Sequence, residues 1–354
     1  MGVDILRIIA MLSVLFLHTI YGFTVRTDFF LTKSWYLFEP FSALSSSSLA
    51  LFVMLSGYLV VHKNRTVQDN LRITVKRIVI PFFFFSIFAS LFYLFKTGRS
   101  LVSTFNPSYI FSDVMKFPNN WLWFLGVLFF LYILNPLWQG VFNNTSKRFT
   151  AQYVTVFFFI FTSTAILLKF ATHTLLFFNS YTTWTGYTCC YLYGALAMNK
   201  WGLPKSKLIS LALFITGMVL EILGNYFSIL NQKNGTPFAF AGYFTDNLAI
   251  PPLLIALGMF NMFINIKSLR INNSVTRLLR KGIAQLAGLS YGIYLTHQFI
   301  VLSIYDIIGW SVDSARINIY LYFFVVYSIT FFGSTGMTYF ISRIPKLRMI
   351  IGNS

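Results

Sequence analysis

The sequence predicts an all-α, polytopic membrane protein, and three observations support that fold class. Hydrophobic residue types make up 56% of the 354 residues and charged types only 10%, with a mean hydropathy of +0.69; a soluble domain has about 25% charged residues. Apolar runs of about 20 residues recur along the chain, each long enough to cross a hydrocarbon core of about 30 Å. The runs are continuous, whereas the strands of a membrane β-barrel alternate apolar with polar residues.

Ten apolar runs are predicted to be membrane-spanning helices. They cover residues 3–23, 38–61, 76–96, 121–142, 151–170, 179–198, 207–230, 243–266, 285–308 and 316–342. The prediction is a bundle of about ten transmembrane helices in a multi-pass protein of the lipid bilayer. The eighth span contains Pro251 and Pro252, and a kink is expected there. Residues 1–354 are expected to form a single transmembrane domain, with no soluble domain after the last span.

The distribution of Lys and Arg residues predicts the orientation of this bundle. The connections after even-numbered spans, together with the tail after the tenth span, hold more than twice as many Lys and Arg residues as the odd-numbered connections. Cytoplasmic loops of membrane proteins carry such an excess. Both termini are therefore predicted to be cytoplasmic, and the net charge of +18 is explained without a nucleic-acid partner.

The first predicted span contains two ionisable residues, Arg7 and His18. Their separation of eleven residues amounts to three helical turns plus about 20°, so the two side chains lie on one face, about 16 Å apart along the axis. Because an ionisable residue inside a membrane helix is energetically costly, its default interpretation is functional. In the predicted orientation Arg7 lies near the cytoplasmic end and His18 lies deeper. Asp4, three residues before Arg7, is expected to pair with it.

A basic segment precedes the third span. It contains Arg72, Lys76 and Arg77, followed by Pro81. Pro81 is predicted to lie one turn into the span, where a proline frees little of the backbone. In the predicted orientation the three cations lie at the cytoplasmic surface.

The seventh span carries Glu221, with Asn225 one turn later. A carboxyl group in a membrane helix is expected to face the bundle interior or water. Two interpretations stay open at this point. Glu221 is a functional group, or it is a neutral, hydrogen-bonded residue or one close to the outer interface.

Aromatic residues and a histidine mark the ninth and fourth spans. The ninth places Tyr291, Tyr294 and His297 at intervals of three residues, on roughly one face. His297 is either an acid–base group or a satisfied core residue. Trp121 and Trp123 begin the fourth span, where indole rings serve as anchors in the membrane interface or contribute to a binding site.

The residue types also limit the chemistry. The sequence contains no HExxH motif, carboxylate cluster or paired-cysteine motif that would predict a metal site. His18 and His297 are then the candidates for a buried base, because imidazole accepts a proton from a hydroxyl near pH 7 without a metal. The guanidinium of Arg7 binds phosphate or carboxylate in a bidentate fork. The pair suits a phosphorylated donor from the cytoplasm and an acceptor from outside, and a structural or transport role is the alternative.

The spacing Arg7-(x)10-His18 resembles the signature of the acyltransferase 3 family, which consists of integral-membrane acyltransferases. Further segments resemble that family in the same order along the chain: LFVMLSGYLV at 51–60, KRIVIPF at 76–82, NWLWFLGVLF at 120–129, GALAM at 194–198 and LSYGIYLTH at 289–297. Each segment is a weak match alone, but the ordered set runs across most of the chain. One position departs from the family pattern. Family members often have a pair of basic residues, three positions apart, before the proline of the third span, whereas position 74 of this chain is Thr74.

The resemblance implies transfer of an acyl group, usually acetyl from acetyl-CoA, to a hydroxyl of an extracytoplasmic or lipid-linked sugar. His18 would be the catalytic base, and Arg7 would hold the acyl donor. The basic segment would contribute to donor binding through Arg72, Lys76 and Arg77. The supporting or acceptor-site candidates are Asp4, Glu221, Tyr294, His297 and Trp123. No metal is expected, and the implied setting is the bacterial plasma membrane, alongside the proteins of a glycan-assembly pathway.

A second function is also compatible with these features. A transporter or exporter of a polysaccharide or a lipid-linked sugar would have a similar number of spans and polar residues such as Glu221 and His297. Consumption of acyl-CoA by the purified protein distinguishes the two functions.

Overall fold

The computed structural model describes residues 1–97, 121–174, 182–202, 206–236, 238–266, 274–309 and 318–352. These residues form helices joined by turns, and no strand occurs among them. The predicted all-α class is therefore confirmed for the described part of the chain. Residues 98–120 of the predicted loop 97–120 lie outside the described residues.

The residues that the structure describes contain a series of α-helices. In order they are α1 (Gly2–Thr19), α2 (Tyr21–Thr24), α3 (Lys33–Ser46), α4 (Ser48–Val60), α5 (Val67–Thr74), α6 (Ile80–Thr97), α7 (Trp123–Ile133), α8 (Asn135–Phe142), α9 (Arg148–Thr172), α10 (Thr183–Met198), α11 (Lys207–Lys233), α12 (Ile250–Ile264), α13 (Ser274–Leu302) and α14 (Ile319–Arg343). Two π-helical segments, Val75–Val79 and Ser303–Ile307, follow α5 and α13. Single 3₁₀ turns occupy Thr145–Lys147 and Arg348–Ile351.

The described helices give fewer membrane spans than the sequence predicts when length and hydropathy alone are considered. Each of the ten predicted spans overlaps at least one helix. Six helical stretches are long and apolar enough to cross a membrane: Gly2–Thr19, Lys33–Val60, Val67–Phe92, Thr145–Thr172, Lys207–Lys233 and Ile319–Arg343. The pair α7 and α8, bent by 51° at its break, gives a seventh. The chain is a multi-pass membrane protein, and the count of ten stays a prediction.

The chain divides into two compact units, which are described separately below. The first unit contains residues 1–64 and 134–290, and the second contains residues 65–133 and 291–354. Arg7, His18 and Glu221 belong to the first unit. The basic segment with Arg77 and the C-terminal part of α13 with His297 belong to the second.

A crossing of α4 and α10 lies at the centre of the packing in the first unit. A Cβ atom added to Gly57 would lie 1.8 Å from the Tyr191 carbonyl oxygen, and one added to Gly194 would lie 1.9 Å from the Met54 carbonyl oxygen. Small residues allow membrane helices to approach until their backbones touch. The two glycines therefore bring α4 and α10 into direct backbone contact, and α1 packs against α4, α3 and α12 around them.

Four consecutive serines, Ser45–Ser48, mark the boundary between α3 and α4. The hydroxyls of the first three each donate to a carbonyl three or four residues earlier, at 2.7–2.8 Å. Such hydrogen bonds compete with those of the helix and often bend it. The predicted second span is thus a pair of helices, and it begins at Lys33 rather than at residue 38.

Pro251 and Pro252 lie in the first turn of α12, which begins at Ile250. The sequence predicts a span that begins at residue 243 and kinks at these prolines, and this prediction is wrong. The N–H groups of a first helical turn have no intrahelical acceptor, so a proline there costs little. Residues 243–249 form turns instead.

In the second unit a continuous helical stretch runs from Val67 to Thr97 through the π-helical segment. Thr66 precedes it, and its hydroxyl accepts a hydrogen bond from the Asp69 N–H at 3.1 Å and caps the helix. Pro81 therefore lies well inside a helix, and the prediction that it frees little of the backbone is wrong. A proline in a helix interior removes the hydrogen bond to the carbonyl four residues earlier, which is that of Arg77.

Candidate functional site

Arg7 and His18 lie on one uninterrupted helix, α1. With Met11 and Val14 they form a stripe at positions i, i+4, i+7 and i+11, which runs along one face of an α-helix. Met11 and Val14 are 0% and 1% exposed, whereas Arg7 is half-buried and His18 is exposed. The stripe therefore faces protein along its middle, and an accessible polar side chain lies at each end of it.

The guanidinium of Arg7 forms no ion pair or hydrogen bond with any described residue. Asp4, which is predicted to pair with Arg7, instead lies 3.7 Å from the amino group of Met1. The predicted Asp4–Arg7 pair is not formed, because the first helical turn places the chain's own amino group beside the carboxylate. A guanidinium is always charged in proteins, so Arg7 offers an unneutralised positive charge to an anionic ligand.

The basic segment lies in the second unit, at the end of α5 and in the π-helical segment that follows. Arg72 and Arg77 are exposed and Lys76 is half-buried. Within the described ranges none of the three forms an ion pair. π-helical segments within α-helices are frequent at functional sites. The segment is therefore a patch of positive charge, and the nearby carboxylate of Asp69 accepts a hydrogen bond from the Thr66 hydroxyl rather than pairing with one of these cations.

Tyr294 and His297 of α13 are both buried in the second unit. The His297 Nδ1 lies 2.6 Å from the Tyr294 carbonyl oxygen, and because a carbonyl only accepts, Nδ1 carries the proton of this hydrogen bond. The Tyr294 hydroxyl donates to the carbonyl of Trp121 at 2.8 Å. Trp123 is half-buried at the start of α7. The hydrogen bond from Tyr294 thus connects α13 to Trp121, which lies just before α7.

Glu221 lies on α11 and is 1% exposed. Its Oε2 lies 2.8 Å from the Ser46 hydroxyl oxygen, which is within hydrogen-bond distance. A second carboxyl group, that of Glu39 on α3, is equally buried, and its Oε1 accepts a hydrogen bond from the side-chain amide of Asn225 at 2.8 Å. Helices α3 and α11 therefore share a buried polar seam in the first unit.

Two features of these sites were not found from the sequence. The predicted second span, residues 38–61, places Glu39 at its edge, although an acidic residue within the apolar stretch 33–60 is a signal for burial. The hydrogen bond from the Tyr291 hydroxyl to the Arg77 carbonyl, at 2.8 Å, had no sequence signal, because the two residues are 214 positions apart.

The described residues offer an anion-binding group and a base but no cluster of metal ligands. Among them, no group of three His, Cys, Asp or Glu side chains is arranged to hold a metal ion. Cys189 and Cys190 are buried and free, with their sulfur atoms 3.8 Å apart. The chemistry available on α1 is therefore that of a guanidinium and an imidazole.

A comparison with protein families finds a match that spans the helices carrying these residues. The family model described as an acyltransferase domain matches residues 2–341. That range includes α1 with Arg7 and His18, the basic segment, and α13 with Tyr294 and His297. No curated protein and no solved structure matches the chain.

Proposed function

Because the chain belongs to the acyltransferase 3 family, it is a membrane acyltransferase, and we propose that it moves an acetyl or related acyl group from acyl-CoA to a hydroxyl of a surface or lipid-linked glycan. The observation that supports this proposal most directly is the stripe on α1. It presents an unneutralised guanidinium at one end and an accessible imidazole at the other, with apolar side chains between them.

We assign His18 the role of general base. A neutral imidazole accepts a proton from a hydroxyl and can return it in the same reaction cycle. In the transfer step the glycan hydroxyl oxygen attacks the thioester carbonyl carbon while His18 takes the hydroxyl proton. The C–S bond then breaks, CoA leaves as a thiolate, and the His18 imidazolium gives its proton to the sulfur. The products are the glycan ester and free CoA.

We assign Arg7 and the basic segment to the acyl donor. Acyl-CoA carries its negative charge on phosphates that are far from its thioester. The residues that bind the phosphates and the residue that takes part in the reaction are therefore different ones. The fork of Arg7 suits an anionic oxygen pair. Arg72, Lys76 and Arg77 add positive charge, which in the proposed orientation lies at the cytoplasmic surface, where acyl-CoA is available.

The first test is transfer by the purified protein in lipid vesicles. Release of the CoA thiol from acetyl-CoA is expected to depend on a glycan acceptor. His18→Ala is expected to lower kcat by about 100- to 10,000-fold, which is the usual contribution of general acid–base catalysis, while the protein still inserts and folds. His173→Ala is the matched control, because His173 is exposed at the end of α9 and is expected to be dispensable.

Two results would contradict the proposal. Full activity of His18→Ala would reject the assignment of the base. A wild-type protein that cleaves no thioester with any glycan acceptor would favour export of a polysaccharide or a lipid-linked sugar instead. Mass spectrometry of surface glycans from cells with and without the gene would identify both the acyl group and the modified sugar.

A further inference from the structure

The Arg77 carbonyl accepts a hydrogen bond from outside its own helix, one turn before a proline. In an α-helix the carbonyl of residue 77 would accept a hydrogen bond from the N–H of residue 81. Residue 81 is Pro81, which has no N–H. The hydroxyl of Tyr291, on α13, donates to the Arg77 carbonyl oxygen at 2.8 Å. A side chain from another helix thus donates to a carbonyl that lies one turn before a residue without an N–H.

The Arg77 carbonyl belongs to the π-helical segment that carries the side chains of Lys76 and Arg77. Val75–Val79 is π-helical, and the N–H of Ile80 donates to the carbonyl of Val75, five residues earlier. The register of this turn differs from that of the α-helices on either side. The directions of the Lys76 and Arg77 side chains therefore depend on the contacts that hold this turn in place.

The C-terminal turn packs against Tyr291 at the same point. Gly352 has a φ of +70°, which glycine adopts without strain. A Cβ atom added to it would lie 2.5 Å from Cε1 of Tyr291 and 3.4 Å from the Arg77 carbonyl oxygen. Ile351 before it is 1% exposed. The tyrosine ring, the Arg77 carbonyl and the glycine backbone therefore meet where no further side chain fits.

We propose that Tyr291, supported by the C-terminal turn at Gly352, fixes the π-helical segment so that Lys76 and Arg77 are held in position for the phosphates of the acyl donor. This inference rests on the proposed function, because it requires acyl-CoA as the donor. Tyr291 is a positioning residue, since it acts through the backbone of Arg77 and does not contact the donor.

The test is a double-mutant cycle between Tyr291→Phe and Pro81→Ala. Tyr291→Phe keeps the ring and removes only the donor hydroxyl. It is expected to raise the KM for acetyl-CoA by about three- to tenfold, the range that corresponds to one hydrogen bond, and to change kcat by less than about twofold. Pro81→Ala restores an N–H one turn after Arg77. The double variant is therefore expected to have the same KM as Pro81→Ala alone, within about twofold.

A structural measurement separates this inference from the proposed function. Hydrogen exchange at the amides of residues 75–80, followed by mass spectrometry, is expected to be faster in Tyr291→Phe and restored in the double variant. Tyr193→Phe is the control, because its hydroxyl donates to the Asn261 side chain in the first unit. That variant is expected to leave both the donor KM and the exchange of residues 75–80 unchanged.

Each outcome decides the inference. A raised KM with rescue by Pro81→Ala and matching exchange supports it. An unchanged KM or unchanged exchange in Tyr291→Phe overturns it, and so does a raised KM that Pro81→Ala fails to reverse. Absence of thioester cleavage by the wild type refutes the proposed function itself, and the donor-positioning role with it. The exchange data would then still report whether Tyr291 and Pro81 act on the same carbonyl.

Discussion

At the scale of single residues, Arg7 is distinguished by what surrounds it. The helix around it is apolar, and the nearby carboxylate of Asp4 is occupied by the amino group of Met1. A charged side chain at membrane depth is expensive and usually serves a function. A ligand that brings negative charge to Arg7 would supply the ion pair that the described residues do not.

Replacement of Arg7 by lysine tests the importance of this geometry. Lysine keeps the charge but loses the planar fork, so Arg7→Lys is expected to raise the KM for acetyl-CoA by about tenfold or more. The measurement is the dependence of CoA release on donor concentration. Arg26→Lys serves as the control, because Arg26 is paired with Asp28 at 2.6 Å on the surface and should tolerate the change. A wild-type KM in Arg7→Lys would exclude a bidentate contact.

At this scale, relations between residues close in the sequence could be predicted, and contacts between residues far apart in the sequence could not. Arg7 and His18 could be related from the sequence, because the geometry of a single helix sets the angle between them. The partners of Glu39 and Tyr291 could not, since they lie 186 and 214 positions away and meet only through tertiary packing. The site roles themselves stay predictions.

At the scale of secondary-structure elements, the close crossing of α4 and α10 depends on two glycines, Gly57 and Gly194, which have no side chain to keep the helices apart. Backbone oxygens lie within 2 Å of the positions that Cβ atoms would take at Gly57 and Gly194. Backbone cannot move aside as a side chain can. A methyl group at either position must therefore push the helices apart.

Gly194→Ala is expected to destabilise the protein by roughly 1–3 kcal/mol or more, as other overpacked sites do. Gly140→Ala is the matched control, because Gly140 is also helical and has no atom within 4 Å of an added Cβ. Its better helix propensity should leave stability unchanged or raise it by up to about 1 kcal/mol. Thermal unfolding in detergent compares the two. Equal midpoints would show that the crossing is not tightly packed.

Helix positions were easier to predict than helix ends. Continuous apolar runs indicate where helices lie, and each predicted span does overlap a helix. Apolarity does not indicate where a helix begins, so the predicted effects of Pro81 and of Pro251 with Pro252 on their helices are both wrong. In the first case the helix begins earlier than predicted, at Val67, and in the second it begins later, at Ile250.

At the scale of the whole molecule, the proposed orientation follows from the excess of Lys and Arg in the even-numbered connections. A green fluorescent protein fused after Ser354 is expected to fluoresce, because it folds on the cytoplasmic side. An alkaline phosphatase fused after Asn234, in the seventh connection, is expected to be active, because it requires export. The reverse pattern would mean that the protein has the opposite orientation in the membrane, with Arg7 near the outer face.

Met11 and Val14, the two fully buried side chains between Arg7 and His18, have a consequence for permeability. Water has no room beside them, and an ion cannot enter an apolar region without a large desolvation cost. Protons and salts therefore cannot follow this face of α1 from one polar side chain to the other. The helix that carries Arg7 and His18 therefore contributes to the electrical insulation of the membrane along this face.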